Sequence, residues 1–416
     1  MTRRRGPRPH VALLWILLLF PLFACAQFHY DPADAGTDID IALVTFGPGE
    51  EIWERFGHNA ILIRDNAAGA QRLYNYGMFD FAQENFWLNF ARGKMLYRIA
   101  VSDPADDYPV YRAEGRWIVE QELNLAPAQR MKLFDYLEWN ARPENAQYSY
   151  EYFSANCSTR VRDALDDAVG GAIHGQLVAP SRGYTYRMDA DRLMRAEPAL
   201  MLGMDAGLGP FADRRLSYWD ESFVPMEFMR HLRAVRVRDA SGQLVPLVAH
   251  ESRVAAATVP EPPDFPPQWF WQALAVGVAF ALTLLALARA RTYTWARASF
   301  ATLAGVASLT LGLCGLVLLA LWTLTEHISA WRNENLLLFN PLCLLLVPAW
   351  LGALRRNWRP SHFAQRIAVT VAAFAALGFF LKVFPAFAQD NYLWIALLLP
   401  VHATLAFVLI RATRSA

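Results

Sequence analysis

The feature that most constrains this chain is a set of five long apolar stretches in its last third. They cover about residues 269–288, 300–323, 336–354, 367–387 and 392–411. Each is long enough to cross the hydrocarbon core of a bilayer, about 30 Å thick, as a helix. The sequence therefore predicts a five-helix transmembrane bundle over residues 269–416.

Charged residues are unevenly divided among the connections of this bundle. The first and third connections and the C-terminal tail are rich in arginine: Arg289, Arg291, Arg297, Arg355, Arg356, Arg359, Arg366, Arg411 and Arg414. The other two connections carry Glu326, Glu334 and Asp390. Arginine-rich loops stay in the cytoplasm, so the region before the bundle is expected outside the cytoplasmic membrane.

Residues 1–26 have the pattern of a secretory signal peptide, which requires the same location. Arginines at 3, 4, 5 and 8 precede an apolar run from Val11 to Leu22 and then Ala24-Cys25-Ala26. A basic start, a short apolar run and an A-x-A site define such peptides. An uncleaved N-terminal anchor is the alternative. Residues 27–259 would form an extracytoplasmic catalytic domain, joined to the bundle by a stiff proline-rich linker at 260–268.

Local patterns in residues 27–259 predict an α+β domain. Strands are expected at 59–64, 72–76, 95–101, 116–123 and 148–153, a final hairpin at 233–254, and helices at 84–93, 127–140 and 157–169. A net charge of +1 gives no support for nucleic-acid binding. With neither metal-ligand spacing nor a phosphate-binding glycine loop in the sequence, no metal or cofactor is expected.

Cys157 is the candidate nucleophile. Once Cys25 is removed with the signal peptide, it is the only cysteine before the bundle, and unpaired cysteines are unusual in an oxidising compartment. It begins a predicted helix, where the helix N-terminus would lower the pKa of the thiol. A buried structural cysteine is the alternative.

His58 is the candidate base, because it stands at the mouth of a predicted strand, as the histidine of papain-like enzymes does. Asn75 on the next strand would orient the imidazole, unless it is a hairpin residue that faces water. Tyr74 or Tyr76 could do the same work. The side chain of Asn156 is expected to help bind an oxyanion, together with the backbone N–H of Cys157.

Polar residues also collect in an outward loop of the bundle and the span that follows it. They are Glu326, His327, Asn333, Asn335 and Asn340. Polar groups at membrane depth are costly and often functional. They are predicted to close the active site from below or to bind a lipid headgroup, with an ordinary loop as the alternative.

Several motifs together resemble the Lnb family of lipoprotein N-acyltransferases. Among them are Arg55-Phe56-Gly57-His58-Asn59-Ala60, Tyr74-Asn75-Tyr76-Gly77-Met78-Phe79-Asp80-Phe81, Asn156-Cys157-Ser158-Thr159-Arg160, and Asn333-Glu334-Asn335-Leu336-Leu337-Leu338-Phe339-Asn340-Pro341. Met78 departs from the family pattern, where threonine is common. The family is similar to permuted papain-like folds of the NlpC and lecithin:retinol acyltransferase group, in which histidine precedes cysteine.

The resemblance implies an acyltransferase in the cytoplasmic membrane of a bacterium, with diacylglyceryl lipoproteins and membrane lipid as partners. Cys157 would accept an acyl chain as a thioester, and the N-terminal amine of the lipoprotein would then receive it. Substrate contacts are predicted at Tyr74, Tyr76, Arg160, Glu326, His327 and Asn335. For Arg160 the alternative is a local ion pair with Asp163, which braces the helix. Alternatives are an NlpC-like cell-wall cysteine peptidase or amidase and a non-enzymatic membrane receptor or assembly factor.

Overall fold

A computed structural model describes residues 36–79 and 83–414 of the chain. A domain rich in antiparallel strands comes first, and apolar helices follow from Phe270 onwards. The predicted signal peptide, residues 1–26, lies outside the described residues, as do Asp80 and Phe81 of the second motif.

The strands of the first domain form one large antiparallel sheet and two small pairs. In chain order they are β1 (Ile39–Phe46), β2 (His58–Asp65), β3 (Ala70–Met78), β4 (Leu96–Ser102), β5 (Ile118–Leu123), β6 (Gln147–Ser149), β7 (Pro180–Thr185), β8 (Arg215–Ser217), β9 (Arg236–Arg238), β10 (Leu244–Pro246) and β11 (Val248–Ala255). Within the described residues the large sheet has seven strands, in the order β11-β5-β1-β2-β3-β4-β6. Strands β7 and β8 pair with each other, as do β9 and β10.

The β2–β3 hairpin confirms a predicted strand–turn–strand unit. The Asp65 carboxylate accepts hydrogen bonds from the N–H groups of Ala67 and Ala68 at 3.0 and 2.9 Å. Gly69 completes the turn at φ +64°, a conformation that glycine adopts without steric cost. The turn fixes the register in which Ile61 lies opposite Tyr74.

Helices cover both faces of the large sheet. They are α1 (Phe86–Arg92), α2 (Pro104–Ala113), α3 (Pro127–Asn140), α4 (Cys157–Ala168), α5 (Ala172–Leu177), α6 (Tyr186–Leu193), α7 (Pro198–Gly207), α8 (Tyr218–Glu221) and α9 (Pro225–Leu232). Leu137 of α3 and Leu165 of α4 share a buried core with Ile61 on one face. On the other face Tyr108 of α2 packs with Leu62 and other sheet residues. A mixed domain of sheet and helices is therefore confirmed.

Five segments in the last third are long and apolar enough to cross a membrane, as predicted. Four are α10 (Phe270–Arg289), α11 (Thr294–Leu324), α13 (His362–Leu381) and α14 (Tyr392–Arg414), and the fifth, Glu334–Gly352, ends in α12 (Val347–Gly352). This third span is not one continuous helix. It contains two 3₁₀ turns, Glu334–Leu337 and Pro341–Leu346, and the second begins at a proline, which has no N–H to donate to a helix. His402 of α14 donates to the freed carbonyl of Leu338 at 2.8 Å.

The two acidic loops of the bundle contact the first domain. The Gly209 N–H donates to the carbonyl of Ser329 at 2.8 Å, and the Gln389 amide donates to the carbonyl of Leu208 at 3.0 Å. Both loops therefore lie on the side of the sheet domain. This agrees with the orientation that the loop charges predict.

Candidate active site

Cys157 begins helix α4, as the sequence predicts. The Asn156 side chain accepts a hydrogen bond from the Thr159 N–H at 2.9 Å, and the Thr159 hydroxyl accepts one from the Asn156 N–H at 2.8 Å. This reciprocal capping fixes the first turn of the helix. The half-buried sulfur accepts hydrogen bonds from the backbone N–H groups of Asn59, Ser158 and Cys157 itself.

A buried hydrogen bond fastens the start of α4 to the start of β2. The Asn59 amide donates to the Ser158 hydroxyl at 2.9 Å, and that hydroxyl donates to the Ser222 carbonyl at 2.7 Å. Asn59 follows His58, and Ser158 follows Cys157. The Asn59 nitrogen that faces the thiol is bonded to the carbonyl carbon of His58, so the thiol lies beside the His58 backbone. The fold brings the two predicted residues together at one end of the sheet.

Asn75 holds the imidazole of His58, as predicted. The ring Nε2 and Asn75 Oδ1 are 3.0 Å apart. The amide nitrogen of Asn75 is occupied elsewhere, donating to Ser102 Oγ at 2.9 Å and to Asp107 Oδ2 at 3.1 Å. Asn75 can therefore only accept from the ring. Nε2 carries the proton, and the lone pair is on Nδ1. Asn75 is buried, so the alternative of a hairpin residue in water is wrong.

Aromatic rings surround His58 and change its titration. Phe46 and Tyr111 stack near the imidazole, with centroids 5.8 and 6.4 Å away. Burial lowers the pKa of His58 to about 4; the hydrogen bond to Asn75 opposes this shift, and the charge of Arg116 adds to it. The imidazole is therefore neutral at pH 7 and able to accept a proton.

The thiol of Cys157 does not follow the expected pKa shift. Burial raises its pKa above the ordinary value, although the surrounding N–H groups and Arg116 act in the opposite direction. The expectation that the helix start would lower this pKa is wrong, because loss of hydration outweighs the helix terminus. At neutral pH the pair is a thiol beside a neutral imidazole. Such a pair is suited to the chemistry of a nucleophile that a general base activates.

Gly77 leaves room for the thiol at the end of β3. Its backbone has φ +85°, and a Cβ placed there would lie 3.2 Å from the Cys157 Cβ. Such a separation is tighter than an ordinary van der Waals contact. Only glycine both adopts this conformation readily and keeps the distance.

Two family models match the chain. The Lnb N-terminal periplasmic domain matches residues 29–188, and the Lnb transmembrane domain matches residues 266–414. The chain belongs to the Lnb family. No curated protein and no solved structure matches it.

Membership of the Lnb family also gives the location of both parts. The chain is a multi-pass inner-membrane protein, and its sheet domain lies in the periplasm. The candidate site is part of that periplasmic domain. Within the described residues, no group of three or more His, Cys, Asp or Glu side chains is arranged to hold a metal ion.

Asn156 does not have the role that the sequence predicts in this Lnb chain. Its amide nitrogen donates to the carbonyls of Tyr152 at 3.0 Å and Phe223 at 2.9 Å, while its oxygen caps α4. Both amide hydrogens are therefore engaged. The prediction that this side chain binds an oxyanion is wrong, because its hydrogen-bonding capacity is used to build the helix start.

Tyr74 and Tyr76 are core residues on the opposite face of β3 from Asn75. The Tyr74 hydroxyl donates to Glu138 of α3, and the Tyr76 hydroxyl donates to Asn140 at 2.6 Å. Both side chains are buried. Neither can orient His58 or contact substrate, since alternate residues of a strand point to opposite faces.

Arg160 is near the site but is not paired as predicted. Its guanidinium lies over the Tyr148 ring, 4.5 Å from the centroid, whereas Asp163 pairs with Arg162 at 2.7 Å. The expected ion pair between Arg160 and Asp163 is wrong. Arg160 Nε is buried and has no hydrogen-bond partner within the described part of the chain. A contact between Arg160 and substrate stays a prediction.

Glu326 and His327 touch the periplasmic domain beside α1. The Glu326 N–H donates to the Arg92 carbonyl at 2.7 Å, and His327 Nε2 donates to the Phe90 carbonyl at 3.0 Å. The imidazole of His327 also stacks on Tyr152, with centroids 6.1 Å apart. The loop therefore contacts the periplasmic domain, while closure of the active site from below by this loop stays a prediction. Substrate contact by these two residues stays a prediction.

Asn335 belongs to a different group of buried polar residues, which we call the domain junction. Its amide donates to the Ala206 carbonyl at 3.0 Å, and its oxygen accepts from Asn391 at 3.0 Å. The other junction residues around the end of α7 include Asp205, Asn333, Gln389 and Trp394. Asn335 is fully buried, so the prediction that it contacts substrate is wrong.

The positioning residues Asn59 and Ser158 were not predicted from the sequence. Each directly follows a candidate catalytic residue. Asn59 is also a polar residue directly before the apolar run Ala60-Ile61-Leu62-Ile63 of β2, which is a signal for a buried hydrogen bond. The contacts of Tyr111 and Arg116 with the site could not be predicted from the sequence, because they depend on how α2 and β5 pack.

Proposed function

We propose that this protein is a thiol-dependent lipoprotein N-acyltransferase with a permuted papain-like periplasmic domain. The observation that carries the proposal is the arrangement of Cys157, His58 and Asn75 at one end of the sheet. It combines a nucleophile at a helix start, a neutral base at a strand start and an amide that fixes the tautomer of the base. This is the pattern of Cys-His-Asn sites.

In the first step the thiol attacks an ester carbonyl of the diacylglyceryl group. Nδ1 of His58 takes the thiol proton while sulfur bonds to the carbonyl carbon. The tetrahedral oxyanion is stabilised by backbone N–H groups at the start of α4, including that of Cys157. When the intermediate collapses, the C–O bond breaks, the glyceryl oxygen receives the proton from His58, and a thioester remains on Cys157.

In the second step the neutral N-terminal amine of the lipoprotein attacks the thioester. His58 takes a proton from the nitrogen, the C–S bond breaks, and sulfur regains a proton from His58. An ester and an amine have become an amide and an alcohol, and the enzyme returns to its starting state. Splitting one acyl transfer into two easier steps is the advantage of a covalent intermediate.

The membrane domain favours a lipid substrate over a cell-wall peptide. A loop of the bundle lies against α1 and stacks His327 on Tyr152. The catalytic domain is thus held at the membrane surface, where diacylglyceryl groups are anchored. The peptidase alternative uses the same dyad, but gives no reason for the five spans.

Mass spectrometry of lipoprotein N-termini tests the proposal. Cells or vesicles that contain the full chain should produce the lyso-form, with an acyl chain on the N-terminal amine and one fewer on the glyceryl group. The Cys157→Ala variant, inserted to the same level, should not. Diacylglyceryl lipoprotein left unchanged by the active chain, together with cleavage of cell-wall peptides, would overturn the proposal in favour of the peptidase.

A further inference from the structure

Helix α1 presents large apolar side chains away from the protein. Trp87 is 70% exposed, Leu88 48% and Phe90 38%. At the end of the helix, Arg92 and Lys94 are exposed cations. Trp, Leu and Phe on one side with nearby basic residues are typical of segments that lie in a membrane interface.

The position of α1 relative to the bundle fixes its depth. The loop that follows α11 begins directly after Leu324, the last residue of a membrane-spanning helix. This loop bonds to α1 through the Glu326 N–H and the His327 ring. Since the loop leaves the bilayer at its outer surface, α1 lies at the level of the outer leaflet.

A row of aromatic rings runs from α1 towards the thiol; we call Phe90, His327, Tyr152, Tyr150 and Tyr97 the aromatic strip. Ring centroids are 6.4 Å apart for Phe90 and His327, 6.1 Å for His327 and Tyr152, and 6.0 Å for Tyr152 and Tyr150. Tyr150 and Tyr97 stack at 4.2 Å. At its far end Tyr150 and Tyr97 pack on the same core as Cys157.

We propose that α1 inserts into the outer leaflet and that the aromatic strip guides an acyl chain of a diacyl lipid from that leaflet to Cys157. The inference rests on the proposed function, because it supplies the route by which the acyl donor reaches the thiol. The strip is continuous with the membrane-facing part of the molecule. The half-buried rings offer apolar faces for methylene groups, and their polar tips tolerate water at the surface.

Photocrosslinking in vesicles tests the route without requiring turnover. A benzophenone amino acid is placed at Leu88, at Tyr152 or at the control position Val110, which is 54% exposed on α2. Each full-length chain also carries Cys157→Ala and is reconstituted with a diacyl phospholipid that has an alkyne at the end of one chain. Positions 88 and 152 should form lipid adducts, and position 110 should not.

The outcomes of this experiment separate the parts of the proposal. Adducts at 88 and 152 no stronger than those at 110 would overturn it. Adducts at 88 alone would overturn the strip as an acyl path. Because Cys157 is absent from these chains, none of these results depends on whether the proposed acyl transfer takes place.

A kinetic comparison distinguishes substrate contact from a structural role. Tyr152→Ala should raise KM for a long-chain diacyl donor about tenfold, which corresponds to about 1.4 kcal/mol. Its turnover of a water-soluble short-chain acyl ester should be unchanged. Tyr152→Phe, which keeps the ring, should restore the KM. Equal losses with both substrates would mean that the ring only stabilises the fold, and the strip would not guide the chain.

Discussion

Two groups of buried polar residues in this protein look alike in sequence and differ in chemistry. At the candidate active site, Asn75 fixes the tautomer of His58, so that the lone pair is on Nδ1, at the end of the sheet where Cys157 begins α4. At the domain junction, Asn335 donates to a carbonyl, and its own oxygen accepts from Asn391. In the first arrangement the asparagine orients the proposed base, whereas in the second the asparagine holds two domains together.

Each of the two groups also contains a buried arginine. At the junction, Arg187 is buried with Asp205 and Asp213 at 2.6 and 2.8 Å, and Asp205 also accepts from Trp394 of α14 at 2.7 Å. At the site, Arg116 is also buried and ion-paired, with Glu114 at 3.3 Å, and it influences the thiol and the imidazole through its charge alone. Burial of a polar residue therefore does not mark function; chemical capacity that the fold leaves unused does.

The largest expected effect is the loss of chemistry at the dyad. Cys157→Ala should abolish acyl transfer, and His58→Ala should lower kcat by about 10²- to 10⁴-fold, the usual contribution of a general base. In Cys157→Ala, removal of His58 should cost nothing further, because the two residues act as one unit. Steady-state acyl transfer by folded, membrane-inserted chain is the measurement. Independent, multiplicative losses in Cys157→Ser and His58→Ala would contradict a shared step.

At the junction the expected loss is stability instead. Arg187→Met leaves Asp205 and Asp213 buried without their cation, which should cost about 3–5 kcal/mol. Arg233→Met, which breaks the exposed pair with Glu251, should cost at most about 1 kcal/mol. Thermal unfolding followed by tryptophan fluorescence in lipid nanodiscs compares them. If Arg187→Met lowered kcat of the folded protein but left its thermal stability unchanged, the distinction between the two groups would be wrong.

How far the sequence predicts this molecule depends on the range of the interactions. Helix α3 begins at Pro127 and α4 at Cys157 as expected, because proline and Asn156 are local start signals. Strand β1 was not among the predicted strands; it is buried on both faces and lacks alternation. The predicted strand at 148–153 is real only around Gln147–Ser149.

The site shows the same limit. Short motifs were enough to predict that Cys157, His58 and Asn75 lie at one site, and the two-residue period of β3 could have shown that Tyr74 and Tyr76 point away from Asn75. The junction around Asn335 could not be foreseen, because its partners lie far away in the chain. Polar composition alone made it resemble a binding site.

The next effect concerns the orientation of the base. Asn75→Ala should lower kcat about tenfold to a hundredfold, since the His58 ring loses its fixed tautomer but keeps its stacking partners. Tyr74→Phe is the matched control on the same strand; it removes a hydroxyl from the opposite face and should affect stability rather than kcat. Similar kcat losses in both variants would mean that β3 contributes only packing.

Gly77→Ala should have a smaller effect. The positive φ costs about 1–2 kcal/mol with a Cβ present, and the new methyl would crowd the Cys157 Cβ. Gly69→Ala imposes a similar strain at φ +64° with open space around it. We expect both variants to lose stability and only Gly77→Ala to slow acylation of Cys157, about tenfold. Equal acylation rates, measured by intact mass, would show that Gly77 is needed only for the backbone conformation at the end of β3.

The smallest expected effect is that of mild acid on the rate of Cys157 acylation. A small effect would itself support the lowered pKa of His58. A histidine of ordinary pKa 6.5 would be only about 10% neutral at pH 5.5, and acylation would fall about tenfold from its rate well above that pKa. With a pKa of about 4, His58 stays almost entirely neutral at pH 5.5. The rate of Cys157 acylation in a single turnover should therefore be nearly constant between pH 7.5 and 5.5 and should fall as the pH approaches 4. The acylation half-reaction is the measurement of choice, because the acceptor amine titrates separately. The pH dependence of the free energy of unfolding has the opposite sign from that caused by a histidine whose pKa is raised by folding. The unfolded chain binds the extra proton first, so the His58 contribution favours unfolding progressively as pH drops from 6.5 towards 4, and His58→Gln should remove that dependence. An acid limb centred near 6.5 in the wild-type chain would mean that the imidazole is solvated and titrates as an ordinary histidine, which would contradict the lowered pKa of His58.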